Sequence, residues 1–217
     1  MELTHSFSSI KMYENCPKRY YHQRVTKEVK DLGGEATVYG ERIHEALEHR
    51  LGSKTKLPDE AKGYEVLCRT IENINGSLYV EQQLCLNEYL TPTGWWDKDA
   101  WIRSILDVLI IKDNKAIVMD WKTGKRRPDF TQLELFALQV FKHFEHVEEV
   151  TASFLWLKDM SKDNMVYESA NANLMWESLL TRIERITDSA VHNKWPPKPS
   201  GLCRYCPAKN ICEYALN

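Results

Sequence analysis

The chain contains no run of eighteen apolar residues, which excludes a helical membrane span. Its first residues, MELTHSFSSIKMYENC, have no apolar stretch of the kind a secretory leader needs, so the expectation is an intracellular, cytoplasmic protein. Neither sign of charge dominates: 29 Lys and Arg against 31 Asp and Glu leave a net charge of −2, so any polyanion must be held by local patches. Internal repeats, low-complexity tracts and long linkers are all missing, which excludes solenoids and a disordered chain. With no recognition helix and no strongly basic face, base-specific reading of a duplex is not expected either. What is present is 217 residues of ordinary globular composition, enough for one substantial core or one core with a small appendage.

The most informative stretch is residues 101–124, WIRSILDVLIIKDNKAIVMDWKTG, which reads as two strands joined at Asp113-Asn114. If that turn sets the register, paired residues have numbers summing to 227, and Asp107 falls opposite Asp120. Alternation then puts Ile105, Asp107 and Leu109 on one face with Val118, Asp120 and Lys122. Two carboxylates roughly 5 Å apart repel by roughly 3 kcal/mol at an effective dielectric near 20. A stable core has no use for that, so one carboxyl stays protonated or a cation sits between them. An all-oxygen pair suits a hard divalent ion, Mg²⁺ or Mn²⁺, and Lys122 on the same face can hold a water or a developing phosphate charge beside it.

Elsewhere the pattern predicts a helix from Ser8 or Ser9 to about residue 24 with Pro17 as a kink, and helices over about 36–51 and 59–75. A strand is expected over 78–87, then the hairpin, a helix over 129–144, strands over 150–157 and 165–168, and a long helix over 173–192. The order helix, three strands, helix, strand predicts an α/β fold, a mixed central sheet flanked by helices. His44 lies at the edge of the apolar stripe Ile43, Leu47, Leu51; it suits either a structural role or a nitrogen ligand. Of six cysteines, Cys203, Cys206 and Cys212 form a compact three-thiolate set, and Cys16 can supply a fourth ligand from the other end of the chain. Spacing alone leaves zinc and an iron–sulfur cluster open. Cys68 and Cys85 read as small buried apolar residues.

Four motifs agree in order and spacing over roughly residues 40–140: His44 in GERIHEAL, Asp107 in SILDVLI, Asp120-Trp121-Lys122 in VMDWKTGK, and Gln132 in QLELFA. Together they resemble the RecB-type branch of the PD-(D/E)XK nucleases. The resemblance implies a restriction-endonuclease-like core, a divalent metal on His44, Asp107, Asp120 and the backbone carbonyl of Trp121, a catalytic Lys122, and a Gln132 that contacts DNA. Two departures stand out: Leu106 precedes Asp107 where the family name implies Pro, and Phe136 replaces the usual Tyr after Gln132. An N-terminal Cys-Pro with a C-terminal C-x2-C-P-x5-C is similar to the iron–sulfur subset of that branch, which includes the AddB nuclease domain and the CRISPR-associated RecB-like exonucleases. It implies a 4Fe–4S cluster on Cys16, Cys203, Cys206 and Cys212.

The expectation is therefore a single nuclease domain over residues 1–217, with a core over about 36–170 and a cluster-stitched helical lobe from about 1–30 and 190–217. The expected activity is Mg²⁺- or Mn²⁺-dependent hydrolysis of DNA phosphodiesters, as an exonuclease on single-stranded ends. The alternatives are an endonuclease or DNA-end processing factor of the same fold, or a non-catalytic iron–sulfur DNA-binding subunit. Lys125, Arg126 and Arg127 are candidate phosphate contacts, as are Lys18, Arg19 and Arg24 near Cys16 and Lys194, Lys198, Arg204 and Lys209 near the other cysteines. Tyr20, Tyr21, Trp95 and Trp96 are candidates to stack on bases of a single strand.

Overall fold

The computed structural model describes residues 3–215. In chain order the elements are α1 (Phe7–Asn15), α2 (Pro17–Tyr20), α3 (Glu35–Ser53), α4 (Glu65–Glu72), β1 (Ser77–Leu86), β2 (Ile102–Lys112), β3 (Lys115–Lys122), α5 (Phe130–His143), β4 (Glu149–Trp156), β5 (Ser161–Glu168) and α6 (Ala172–Val191). The chain divides into two compact units, residues 33–176 and residues 1–32 with 177–217.

In the larger unit, the five strands form one sheet in the order β1-β2-β3-β4-β5. All neighbours are antiparallel except β3 and β4, which are parallel and joined through α5. A parallel pair needs such a crossover, because no tight turn can return the chain to the same end of the sheet. Alternating strand residues feed two apolar layers. Leu109, Ile111, Ala116 and Val118 pack with Leu133, Phe136, Ala137 and Val140 of α5. Val108, Ile110 and Trp121 pack with Ile43, Leu47 and Leu51 of α3. The result is a mixed sheet flanked by helices, the fold class read from the sequence.

The hairpin register is the one the sum of 227 requires, from Lys112↔Lys115 through Val108↔Met119. Asp113 supports the two-residue turn by adopting a left-handed φ of 52°, which Asp tolerates better than most residues. The shared face expected for Ile105 and Leu109 does not survive. Leu106 and Leu109 enter the same layer, while Ile105 is 40% exposed. The alternation reverses at Asp107, where β2 has passed the end of its ladder with β3 and pairs only with β1.

Other boundaries differ for local reasons. The helix expected from Ser8 or Ser9 to 24 is interrupted, and its cap is Ser6, in a reciprocal capping box with Ser9. Cys16 is extended (φ −164°), as a residue before proline prefers, and Pro17 starts α2 instead of kinking α1; a π-turn, Tyr21–Val25, follows. The helix expected over 59–75 is a 3₁₀ segment, Asp59–Tyr64, followed by α4. β5 begins at Ser161, although its first residues are polar, because it pairs with β4 along its whole length.

In the smaller unit, Trp195 is the centre of an aromatic cluster. Tyr20 stacks on it at 5.8 Å, with Tyr21 at 5.7 Å and Tyr13 edge-on at 6.3 Å. The Tyr13 hydroxyl donates to the Arg185 carbonyl at 2.8 Å, and Arg182 makes a forked pair with Glu14 at 2.6 and 3.0 Å. Tyr20 is wholly buried, which corrects the expectation that it stacks on a nucleic-acid base. Among the described residues, no helix is long and apolar enough to cross a membrane.

Candidate metal and phosphodiester site

Three neighbouring strands each bring a carboxylate to the same level. The hairpin register carries Asp107 to the position facing Asp120, one step beyond the last ladder pair. The β1–β2 ladder skips one position, between Val80↔Val108 and Gln82↔Leu106, and the residues facing each other there are Glu81 and Asp107. Asp107 and Asp120 are buried; Glu81 is half-buried. Opposed carboxylates do not hold a sheet together, and the ladder is broken at this level on both sides of Asp107.

The remaining bonds of Asp107 and its neighbours show how the site is held. The Trp121 amide donates to Asp107 Oδ2 at 2.6 Å. Asp107 Oδ1 lies 3.3 Å from His44 Nδ1, and His44 Nε2 lies 3.1 Å from the Trp121 carbonyl oxygen. His44 comes from α3, which is anchored on the sheet by Ile43 and Leu47 on either side of it. One turn earlier, Gly40 lets the helix approach the end of β3: a Cβ there would stand 2.9 Å from Thr123 Oγ1.

Lys122 Nζ is 2.6 Å from Asp120 Oδ2 and 5.1 Å from the centre of the Phe154 ring. Gln132, on the first turn of α5, bridges the pair: it accepts from Lys122 at 3.1 Å and donates to Asp120 Oδ1 at 2.9 Å. Gln132 thus sits inside the site, locked to both catalytic candidates, where a direct DNA contact was expected. Phe136, one turn further along α5, is a core residue, and packing accounts for it.

Electrostatics follow from burial. Removal from water pushes the Asp120 carboxyl up to about 6; Lys122 opposes that shift and the charge of Asp107 adds to it. Burial likewise pushes Glu81 up to about 7, with Asp107 and Glu48 adding to it. Burial alone would lower His44, but the Asp107 carboxylate, with smaller help from Asp120 and Glu81, outweighs it and leaves the imidazole above its ordinary value. Crowded, buried carboxylates thus hold their protons to a higher pH than usual, a repulsion that a bound cation would relieve. That is the behaviour expected of a cation site. His44, Glu81 and Asp107 each offer a ligand atom, and these lie within 4.8 Å of one another. This is the chemistry of a hard divalent ion with one imidazole, so the residues fit the metal that the motifs imply.

Glu81 was not among the sequence candidates. The register rule that found Asp107 and Asp120 needs a short turn, and β1 is separated from β2 by the long loop over 87–101, which fixes no register. The signal was a lone acid in the strand LYVEQQLCL.

The basic candidates divide. Arg126 is exposed and pairs with Asp163, whose other partner is the Trp156 indole at 2.7 Å, so its guanidinium fastens the segment after β3 to β5. Lys125 and Arg127 are exposed. Arg103 lies against Trp95 and Trp96, at 5.3 and 5.8 Å from the ring centres, and Trp96 is 84% exposed. In the smaller unit, Cys16, Cys203, Cys206 and Cys212 line one concavity. The Lys198 amide points at Cys16 Sγ (3.5 Å) and the Ser200 amide at Cys203 Sγ (3.3 Å). Cys68 and Cys85 are buried in the larger unit.

The chain is also similar to known proteins. The family model described as the PD-(D/E)XK nuclease superfamily matches residues 4–213. Among solved structures, that of SSO0001 is similar over 100% of this chain and 89% of its own, at 16% identity with a TM-score of 0.54. A protein from Eubacterium rectale described as a candidate exonuclease is similar over 99% of this chain and 91% of its own, at 12% identity with a TM-score of 0.55. At such identities the likeness speaks for the fold alone. No curated protein matches the chain by sequence.

Proposed function

This chain belongs to the PD-(D/E)XK nuclease superfamily, and from that premise we propose that it is a RecB-type, Mg²⁺- or Mn²⁺-dependent deoxyribonuclease acting as an exonuclease on single-stranded ends. The observation that carries the reading is the convergence of His44, Asp107, Asp120 and Lys122 in one partly buried site. His44, Asp107, Asp120 and the Trp121 carbonyl would hold the cation, which when bound supplies Lewis acidity toward a phosphodiester and an acidified water. The protein's own share is positional. Gln132 holds the Lys122 ammonium beside Asp120, where it can stabilise charge building on a non-bridging phosphate oxygen. The Phe154 ring lies beside the Lys122 ammonium and adds a cation–π contact to that positioning.

Three features favour a flexible single strand. The net charge of −2 offers no broad field for a duplex, the exposed cations Lys125 and Arg127 directly follow the site, and Trp96 presents an indole face to solvent. A closed single-stranded circle and its linear form test the reading. The linear strand should be degraded with Mg²⁺ or Mn²⁺ while the circle persists; equal loss of both would make the enzyme an endonuclease.

The proposal extends to a 4Fe–4S cluster on Cys16, Cys203, Cys206 and Cys212. It is supported by their shared concavity and by the amides directed at two of the sulfurs, an arrangement that favours thiolate charge. Protein purified without oxygen should be brown with about four irons per chain. Cys16→Ser should bleach it, and Cys68→Ser should not. Colourless protein with one zinc would refute the iron.

A further inference from the structure

We propose that Glu81 joins His44, Asp107 and Asp120 as a ligand of the divalent cation, reaching it from the side of Asp107 opposite Asp120. This rests on the metal-dependent reading above and adds a residue to it. Register places Glu81 across from Asp107, in the one gap of the β1–β2 ladder. Its carboxylate, the His44 imidazole and the Asp107 carboxylate bring ligand atoms within 4.8 Å of one another. Asp120 reaches the site from the other side of Asp107, where Lys122 and Gln132 hold it. Asp107 is the shared member, with Oδ1 toward His44 and Oδ2 on the Trp121 amide.

Two features separate Glu81 from an incidental surface acid. Its charged neighbours are the carboxylates Asp107 and Glu48 and the imidazole of His44, and among the described residues no lysine or arginine pairs with it. It also has a φ of 49°, in the middle of a strand, a region that a residue with a Cβ rarely adopts. The apolar positions change layer at this residue. Leu78 and Val80 pack on the α3 side before it, and Leu84 packs on the α5 side after it. Glycine would meet that backbone demand without penalty, so the presence of a carboxylate at this position is explained by what it holds.

The test is Mn²⁺ binding to metal-free protein, read from the electron paramagnetic resonance of free Mn²⁺, with cleavage measured alongside. Glu81→Gln keeps the shape and removes the charge; it should raise the Kd for Mn²⁺ by about tenfold or more. Glu81→Asp should recover part of that loss. Glu81→Gly should lose Mn²⁺ affinity to the same degree while melting no lower than wild type without metal, because the backbone is relieved. Wild-type affinity in Glu81→Gln overturns the inference and leaves the nuclease reading intact. A lower melting temperature in metal-free Glu81→Gly also overturns it, by making the residue structural. A wild-type protein that binds no Mn²⁺ overturns both.

Discussion

Three carboxylates side by side on adjacent strands have a cost that pH can reveal. Burial raises Asp120 to about 6 from 3.8 and Glu81 to about 7 from 4.5, and the neighbouring Asp107 holds His44 above 6.5 against the effect of its own burial. All three groups bind protons more tightly when folded. Their contribution to stability is therefore complete below the unfolded values and is lost as pH rises through the folded ones. Metal-free protein should melt lower at about pH 8 than at about pH 5, and saturating Mg²⁺ or Mn²⁺ should flatten that dependence. Scanning calorimetry at both pH values, with and without the ion, measures it. Asp107→Asn should remove the His44 share of the slope and leave the share that burial gives Asp120 and Glu81, and it should also abolish cleavage. Lys122→Met should behave differently. Its ammonium occupies Asp120 Oδ2 in the metal-free site, so cleavage should fall by several orders of magnitude while Mn²⁺ affinity is kept. A Lys122→Met variant that still cleaves at the wild-type rate would remove that residue from the chemistry.

At the scale of the element, precision depends on how closely α3 and the end of β3 approach each other. Gly40→Ala should gain helix propensity, about 1 kcal/mol, yet its Cβ would stand 2.9 Å from Thr123 Oγ1. Either Thr123 turns its hydroxyl away or the helix that carries His44 shifts against the strand that carries Asp120, and the shift is the outcome expected here. The expected result is a loss of cleavage of roughly tenfold to a hundredfold with little change in melting temperature. Thr123→Ala in the same background should restore most of the rate. Gly76→Ala is a test of stability instead. Its φ of 145° is closed to residues with a Cβ, and that atom would meet the Ile111 carbonyl oxygen at 2.7 Å. Denaturant unfolding should show a loss of about 2 kcal/mol or more. These elements also show where the sequence could be read. The β2–β3 pairing was legible because two residues separate the strands, so one sum fixed every partner down to Val108↔Met119. α3 and α5 were legible from their apolar spacing. Glu81 was not, because a long loop sets no register; nor was the role of Gln132, because no local pattern shows which side chains an α-helix turn will meet on a strand beneath it. The Arg126–Asp163 pair was hidden for a related reason: Asp163 lies on a strand whose polar start gave no signal.

At the scale of the molecule, the chain makes two compact units from three segments, since the smaller one is built from both ends of the sequence. Closing so long a loop is entropically costly, and what opposes that cost in the smaller unit is the aromatic cluster on Trp195, the buried Ile10, Leu179, Ile183 and Ile186, and the Arg182–Glu14 pair. A metal cluster on Cys16 and the three C-terminal cysteines would cross-link positions nearly two hundred residues apart, where a link restricts the unfolded chain most. The larger unit has its own two-layer core and needs no such link. Calorimetry of protein purified without oxygen should therefore resolve a transition that depends on iron and one that does not. Removing iron with a chelator, or replacing Cys16 by Ser, should lower the first by ten degrees or more, on the order of the 2–4 kcal/mol that a cross-link of this span contributes, and leave the second in place. The second transition should instead respond to Mg²⁺ or Mn²⁺, and that response should vanish in Asp107→Asn. If one transition carries both responses, the two units unfold together and the cluster supports the catalytic sheet directly. If iron removal moves neither, the four cysteines do not hold the smaller unit together, whatever else they bind.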